Sequence, residues 1–433
     1  MKRHIILKLD RPLDRLLPYW QDCIGQRPAD IRQGFTAGVD AVMQSYGIPF
    51  LATAEYRQQG TQWSESEIAS GLDRIYRLVL LQNREIPAAL IPALEAVPGV
   101  AYARNGDIGA GSLPEPRATA LSSPISHRSR RQIYLDEAHL FTKGEPSVTV
   151  AVLDTGVDLE HEELQGAIGK GFDFVNILQG ADEFIGDYLE ADPVPDDEVG
   201  HGTHVAGIIA ARGLRMPPGV APRCRIMPVR VLAAVRSGDQ IVGAGLVDNI
   251  NNGIKWAVDN GAQVINMSLG VLHEGGGLPH EEVVRYALAK NVTIVAASGN
   301  DGTRELYYPG ALPGVLAVGA VDEQGEVAGF SSFGQQVSFA APGVDIYSTF
   351  NGNGYAYSSG TSHAAPFVSG GVALLHAYAR KHGFALTDAQ IKHVLKLTSD
   401  KNTPQFKDEK TGYGTLNLVD ALRLLDYKLR KQF

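Results

Sequence analysis

From about residue 132 onward, continuous apolar runs alternate with helical stretches, and no other feature narrows the fold as much. "VTVAVLD", "IMPVRVL", "VINMSL", "VTIVAAS" and "VLAVGAV" are bounded by turns and show no polar–apolar alternation. Such runs suit strands buried on both faces of a parallel sheet. Between them stand "HVAGIIAAR", "VDNINNGIKWAVDNG", "HEEVVRYALAKN" and "HAAPFVSGGVALLHAYARKH", which read as helices. Parallel strands joined through helices require right-handed crossovers, so an α/β fold with a doubly wound, mostly parallel sheet is expected. Sites in such sheets form at the carboxyl ends of the strands. Chemistry should therefore be sought where the runs end.

Four polar groups occupy such positions. Asp154 closes "VTVAVLD", where a lone Asp is as readily a turn former. "GHGTHVAG" puts His201 and His204 at a helix entry, and spacing leaves open which of the two matters. Reading the pair as a metal site lacks a third ligand in any motif of the HExxH kind. "VAASGND" ends its run on Ser298, Gly299 and Asn300, and a polar amide there can simply turn the chain. Ser362 opens a helix within "SSGTSHAAPF". Serines commonly cap helices, yet a hydroxyl at a helix N-terminus also lies beside unpaired N–H groups that stabilise an oxyanion. Asp, His, Asn and Ser together are the set that acyl transfer needs. The hydroxyl needs an imidazole to take its proton, the imidazole needs a carboxylate to fix its tautomer, and the oxyanion needs donors already in place.

The blocks "AVLDTGVD", "GHGTHVAGIIAA", "GVAP", "INMSLG", "AASGN", "YPGALPGVLAVGAVD", "FSSFG", "APGVDIYST", "SSGTSHAAPFVSG" and "TGYGTLNLVDAL" follow one another along the chain. With them the sequence resembles the subtilisin-like serine proteases, the subtilase family, over roughly residues 132–428. The order Asp, His, Ser is that of subtilisin, unlike the orders in chymotrypsin and the α/β-hydrolases. The resemblance implies a serine endopeptidase working through an acyl-enzyme. Asp154 would orient, His201 rather than His204 would be the general base, and Ser362 the nucleophile. Asn300 would donate to the oxyanion beside the backbone N–H of Ser362. Ser268, Leu269 and Gly270, with Ser298 and Gly299, would line the pocket for the residue before the scissile bond. The segment around Ser237, Gly238 and Asp239 falls where the family pairs substrate as an extra β-strand, which favours extended peptide or unfolded protein. Asp301 places a carboxylate near the pocket and would favour Arg or Lys before the scissile bond. No cofactor is required for this chemistry.

Residues 1–105 have another texture, with strand-like "HIILKL", "IYRLVLL" and "VAYAR" among helical stretches. "IPALEAVPGVAYARNG" resembles the end of the family's inhibitor-type propeptide, a small ferredoxin-like α+β module that assists folding and blocks the cleft until cut away. Residues 106–131 are rich in Gly, Pro, Ser and Arg and read as an exposed linker. Its run Arg128-Ser129-Arg130-Arg131 offers a processing site within residues 104–132. The chain thus divides into a propeptide-like domain at 1–105, a linker at 106–131 and a catalytic domain at 132–433. An autoinhibited zymogen, with its own N-terminal domain as intramolecular inhibitor, is expected.

Composition removes other classes. A net charge of −9 argues against a nucleic-acid partner. Cys23 and Cys224 form neither a disulfide framework nor a CxxC pair. No apolar run reaches the ~18–20 residues of a membrane span. "MKRHIILKLD" reads as a strand and not as a secretory signal, which favours the cytoplasm, with secretion by another route as the alternative.

His363 stands where many family members carry Met and is expected to pack behind the nucleophile. The loop "RGLRMPPG" lacks the ligands of the family's tight calcium site. "DEFIGDYLEADPVPDDEVG" offers eight carboxylates, which suit a solvated acidic loop before a calcium site and would draw basic substrates. Two other functions compete. One is a catalytically silent pseudoprotease that binds peptides, disfavoured because no member of the catalytic set is substituted. The other is an esterase or acyl transferase on the same fold.

Overall fold

The computed structural model describes residues 3–23, 34–82, 84–106, 108–110, 117–118, 127–176, 184–185, 187, 191–237, 240–273, 275 and 277–431. At the N-terminus, strands β1 (His4–Leu9), β2 (Phe50–Ala54), β3 (Ile75–Leu80) and β4 (Val100–Asn105) form an antiparallel sheet in the order β2-β3-β1-β4. Helix α1 (Ala37–Ser45) starts at the N-cap Thr36, and α2 (Glu65–Ser70) at a capping box between Ser64 and Glu67. Helix α3 (Leu90–Glu95) precedes β4. Alternate residues of β1 point to opposite faces. Ile5, Leu7 and Leu9 pack with Val39 and Met43 of α1 and Leu90 and Leu94 of α3. Ile6 points the other way, into the core of the following domain.

Two short strands, β5 (Ile108–Ala110) and β6 (Arg117–Ala118), and two short helices, α4 (Arg128–Gln132) and α5 (Leu135–Ala138), lead into that domain. It continues with β7 (Thr149–Asp154), β8 (Phe172–Asp173), β9 (Phe184–Ile185), α6 (His201–Ala210), β10 (Arg225–Arg230), β11 (Ala233–Ser237) and β12 (Gln240–Leu246). Then come α7 (Val247–Asp259), β13 (Val264–Met267), α8 (Glu281–Ala289), β14 (Thr293–Ala297), β15 (Leu316–Val321) and β16 (Val337–Pro342). A hairpin of β17 (Ile346–Phe350) and β18 (Gly354–Ser358) precedes α9 (Thr361–Lys381), α10 (Asp388–Thr398) and α11 (Leu418–Arg430).

Among the described residues, seven strands make one sheet in the order β16-β15-β14-β13-β7-β10-β8, every pairing parallel. The expected α/β architecture is therefore present. Val150 and Val152 of β7 face a core shared with α6, α9 and α11, and Ala151 and Leu153 face one shared with α7 and α8. Each apolar run is continuous because both faces of its strand are covered. Among the described residues no helix is long and apolar enough to cross a membrane.

The linker is not uniformly exposed. Arg128–Gln132 is helical, Arg130 is 4% exposed, and its Nη1 donates to Tyr347 O at 3.2 Å. Its guanidinium lies over the Phe367 ring, and burial lowers its pKa to about 10, in a run that composition alone marks as solvated. β5 adds to β12, pairing Ile108 with Leu246, Gly109 with Gly245 and Ala110 with Ala244. β6 adds to β18, pairing Arg117 with Tyr357 and Ala118 with Ala356.

The N-terminal domain sits on α7 and α8 through buried ion pairs. Asp248, in the first turn of α7, accepts from His4 Nε2 at 2.8 Å and from Arg104 Nη2. Asn252 Nδ2 donates to Glu55 Oε1 at 2.6 Å, and Lys255 Nζ pairs with Glu67 at 2.8 Å. Lys8 reaches Glu282 on α8 at 2.6 Å.

Candidate active site

The carboxyl edge of the sheet brings the expected residues together. Asp154 ends β7, and its Oδ1 accepts from His201 Nδ1 at 2.7 Å. Both are buried, at 0% and 5% exposure. The carboxylate fixes the tautomer, leaving Nε2 as the ring's acceptor. Asp154 Oδ1 also accepts the backbone N–H of Thr155 at 2.8 Å.

The helix carrying His201 is held in place by Thr155 and Thr203, which lie within the family-like blocks, and by Asp197, which lies outside them. Thr155 Oγ1 accepts from Gly202 N at 3.0 Å and donates to Asp197 Oδ1 at 2.8 Å. Asp197 accepts from Gly200 N, from Thr203 N and from Thr203 Oγ1. A carboxylate so placed meets the orphan amides of the first turn of α6 and the positive end of its dipole. Asp197 lies in the segment read as a solvated acidic loop, but it is 6% exposed, and burial raises its pKa against the pull of those bonds. Gly202 allows the close approach of helix to strand: a Cβ there would stand 2.0 Å from Gly156 O.

Ser362 is the second residue of α9. Pro366 has no N–H to give to the carbonyl four residues back. Ser268 Oγ donates to that carbonyl, Ser362 O, at 2.6 Å instead. Ser362 Oγ in turn donates to Ser268 O at 3.0 Å, and His201 Nε2 has no hydrogen-bond partner among the described residues. Asn300 Oδ1 accepts from Thr361 N at 2.8 Å and from Thr361 Oγ1 at 2.9 Å. Those two bonds orient the amide and leave its Nδ2 as the end with protons to give.

Of the expected pocket residues, Ser268 and Leu269 are buried at the end of β13 and Gly270 follows them. Ser298 Oγ donates to Ser332 O at 3.0 Å, and Gly299 N donates to Thr361 Oγ1 at 3.3 Å. Asp301 accepts from the Tyr307 hydroxyl. Ser237 ends β11, while Gly238 and Asp239 lie outside the described residues. β5 joins β12 at Ala244–Leu246. β9 occupies the other edge of β11, pairing Ile185 with Ala234 and Phe184 with Val235, so β5 takes the edge of β12.

His363 is 1% exposed, with its ring centroid 4.4 Å from His204 and 5.4 Å from His201. Burial, more than the neighbouring imidazoles, holds its pKa well below the usual histidine range, so it is a neutral packing ring. His204 lies within 3.1 Å of Ile346 O and 3.2 Å of Ala356 O.

The loop that would hold calcium does not fit a cation. Glu163, fully buried, accepts backbone N–H groups from Gly213, Leu214, Arg215 and Met216. Amide donors converge there, and they suit an anion. Among the described residues no group of three or more His, Cys, Asp or Glu side chains is placed to hold a metal.

Comparison with known proteins agrees with this geometry. The profile of the subtilase family matches residues 145–414. The chain belongs to the subtilase family. It is 42% identical to a thermophilic serine proteinase of Bacillus sp. (strain AK1) over 67% of this chain and 65% of that protein. It is 32% identical to an alkaline protease of Alkalihalobacillus alcalophilus over 83% of each chain. Subtilisin Savinase of Lederbergia lenta is 38% identical over 64% of this chain and 91% of its own. These relatives place the chain among subtilisin-like serine endopeptidases. The 360-residue match to the alkaline protease is longer than the stretch from residue 132 to the end, so it reaches into the N-terminal domain.

Proposed function

We propose that this subtilase hydrolyses peptide bonds through Asp154, His201 and Ser362, and that it is made as an autoinhibited zymogen. The Asp154–His201 bond of 2.7 Å, at the sheet edge that also carries Ser362 and Asn300, supports this best. Ser362 Oγ turns from Ser268 O toward His201 Nε2, loses its proton to that nitrogen and attacks the carbonyl. Asp154 stabilises the imidazolium. Asn300 Nδ2 and the N–H of Ser362, at the open end of α9, receive the oxyanion. His201 then gives its proton to the leaving amine, and water completes the second half by the same route.

Autoinhibition is supported by the linker. β5 extends β12 and β6 extends β18, the strand that runs into Ser359-Gly360-Thr361-Ser362. The chain joining the domains is therefore held on two strands of the following domain by strand addition, as a peptide substrate would be. Self-cleavage then falls between Ala110 and Arg117, upstream of the basic run in α4.

Labelling with a fluorophosphonate tests the chemistry: wild type should react at one serine and Ser362→Ala should not. N-terminal sequencing after incubation tests the processing. Wild type should gain a new terminus in that window while Ser362→Ala stays whole. Wild type that stays whole while hydrolysing peptides would remove the zymogen from the reading.

A further inference from the structure

Two glycines flank the gap that this reading gives to the side chain before the scissile bond. Gly270 follows Ser268 and Leu269 beyond β13, and Gly299 precedes Asn300 beyond β14. One ring lies between them. A Cβ placed on Gly270 would stand 2.9 Å from Tyr307 Cβ and 3.4 Å from its Cδ1. A Cβ placed on Gly299 would stand 2.5 Å from Tyr307 Cδ2 and 2.7 Å from its Cε2. Opposite edges of the Tyr307 ring thus rest on the two backbones that form the walls.

The ring is fixed from several directions. Tyr308 and Val271 exchange both backbone hydrogen bonds, each 2.9 Å, so the chain itself carries residue 307 alongside Gly270. Tyr307 O accepts from Ala311 N at 2.8 Å. The hydroxyl donates to Asp301. The tyrosine therefore spans from the two glycines to the one carboxylate that had been expected to select basic substrates.

We infer that Tyr307 is a specificity-determining residue that fills this pocket and limits the residue before the scissile bond to Gly, Ala or Ser. The inference rests on the endopeptidase reading above. A larger side chain would have to displace a half-buried ring that rests on both backbones, with the loss of those contacts. The protein's own linker agrees in sequence, since Gly109, Ala110, Gly111 and Ser112 are all small.

The test uses the full chain, incubated until fluorophosphonate labelling reaches a plateau. It is assayed on peptides identical except for Ala, Phe or Arg before the scissile bond. The Ala peptide should exceed both others in kcat/KM by about tenfold or more, the scale on which a filled pocket rejects a larger group. Tyr307→Gly should raise kcat/KM for the Phe peptide by about tenfold or more. Tyr307→Phe should keep the wild-type order, because the ring and not the hydroxyl closes the pocket. Phe or Arg cleaved as fast as Ala by the wild type would overturn the inference, as would a Tyr307→Gly variant with the wild-type order. Should that variant not fold, the wild-type series decides alone. Failure of the endopeptidase reading looks different: no labelling, and no cleavage of any of the three peptides.

Discussion

Ser362 and Ser268 hold each other twice, through the hydroxyl of each and the carbonyl of the other. The first bond exists because Pro366 leaves Ser362 O without its helical partner, so a residue that looks like a helix defect aids the placing of the proposed nucleophile. Ser362→Ala removes only one oxygen from a packed site. It should fold with an unchanged circular dichroism spectrum and lose about 10⁶ in kcat, the magnitude by which subtilisin itself suffers when its nucleophile is removed. More than about a tenth of wild-type turnover in the variant would refute the role. Asn300 is held by its oxygen, through two bonds from Thr361, and in the proposed mechanism its donors serve the charge that appears in the transition state. Asn300→Leu should therefore lower kcat by about 10²–10³, again the subtilisin figure, while KM changes little. Steady-state kinetics separates the cases: a change confined to KM would make Asn300 a turn residue.

At the scale of elements, the strands β7, β10, β13, β14 and β15 were legible because their apolar runs are unbroken, and every catalytic candidate sits at an end of such a run or of a helix. What stayed hidden depends on partners distant in sequence. Arg130 becomes buried only because Tyr347 and Phe367, more than two hundred residues on, receive it. Tyr307 becomes a pocket filler only because Tyr308 pairs with Val271. The short β2 lacks a run long enough to stand out, and the hairpin β17–β18 is signalled mainly by Asn351-Gly352-Asn353-Gly354, a turn without an obvious flanking pattern. Glu163 is another such case. That "RGLRMPPG" lacks calcium ligands is plain in the sequence, but only the fold shows one buried carboxylate gathering four amides of that loop. Glu163→Leu would leave those donors to water or to nothing. It should lower stability by about 2 kcal/mol, within the range for losing bonds to a charged acceptor. Thermal unfolding in the Ser362→Ala background, free of self-digestion, checks this. A melting temperature equal to that of the parent would mean that the loop is held by other contacts.

The whole molecule is two domains joined by a charged and buried junction, and its response to acid follows from the groups that face one another there. His4 lies at the start of β1 and His280 just before α8, bonded to Asn251 on α7 at 2.6 Å. Burial first, then nearby arginine, lowers both imidazoles below 6.5, His280 to about 3. Burial alone would raise Asp248, but Arg104 and His4 outweigh it and hold the carboxyl well below the usual range. All three act with the same sign. The docked state binds fewer protons than the separated one, so its stability is fully present above about pH 6.5 and is lost as pH falls toward the docked values. Each group contributes at most about 1.4 kcal/mol per pH unit inside its own window. Glu55 opposes them, because burial raises it to about 7 against the pull of Arg77, so it takes up a proton while docked. Between pH 7 and 4.5 its uptake offsets one histidine, and below 4.5 it no longer changes while His280 and Asp248 still do. The junction should accordingly loosen below about pH 6 and most steeply below about pH 4.5. Hydrogen exchange of the amides in α7, corrected for the intrinsic pH dependence and measured on Ser362→Ala, reports this directly. Protection should fall from pH 7 to 4, and His280→Gln should make the fall shallower by up to about tenfold per pH unit, the same 1.4 kcal/mol expressed as an opening constant. Protection of α7 that stays constant over that range, in parent and variant alike, would mean that these imidazoles do not couple docking to pH.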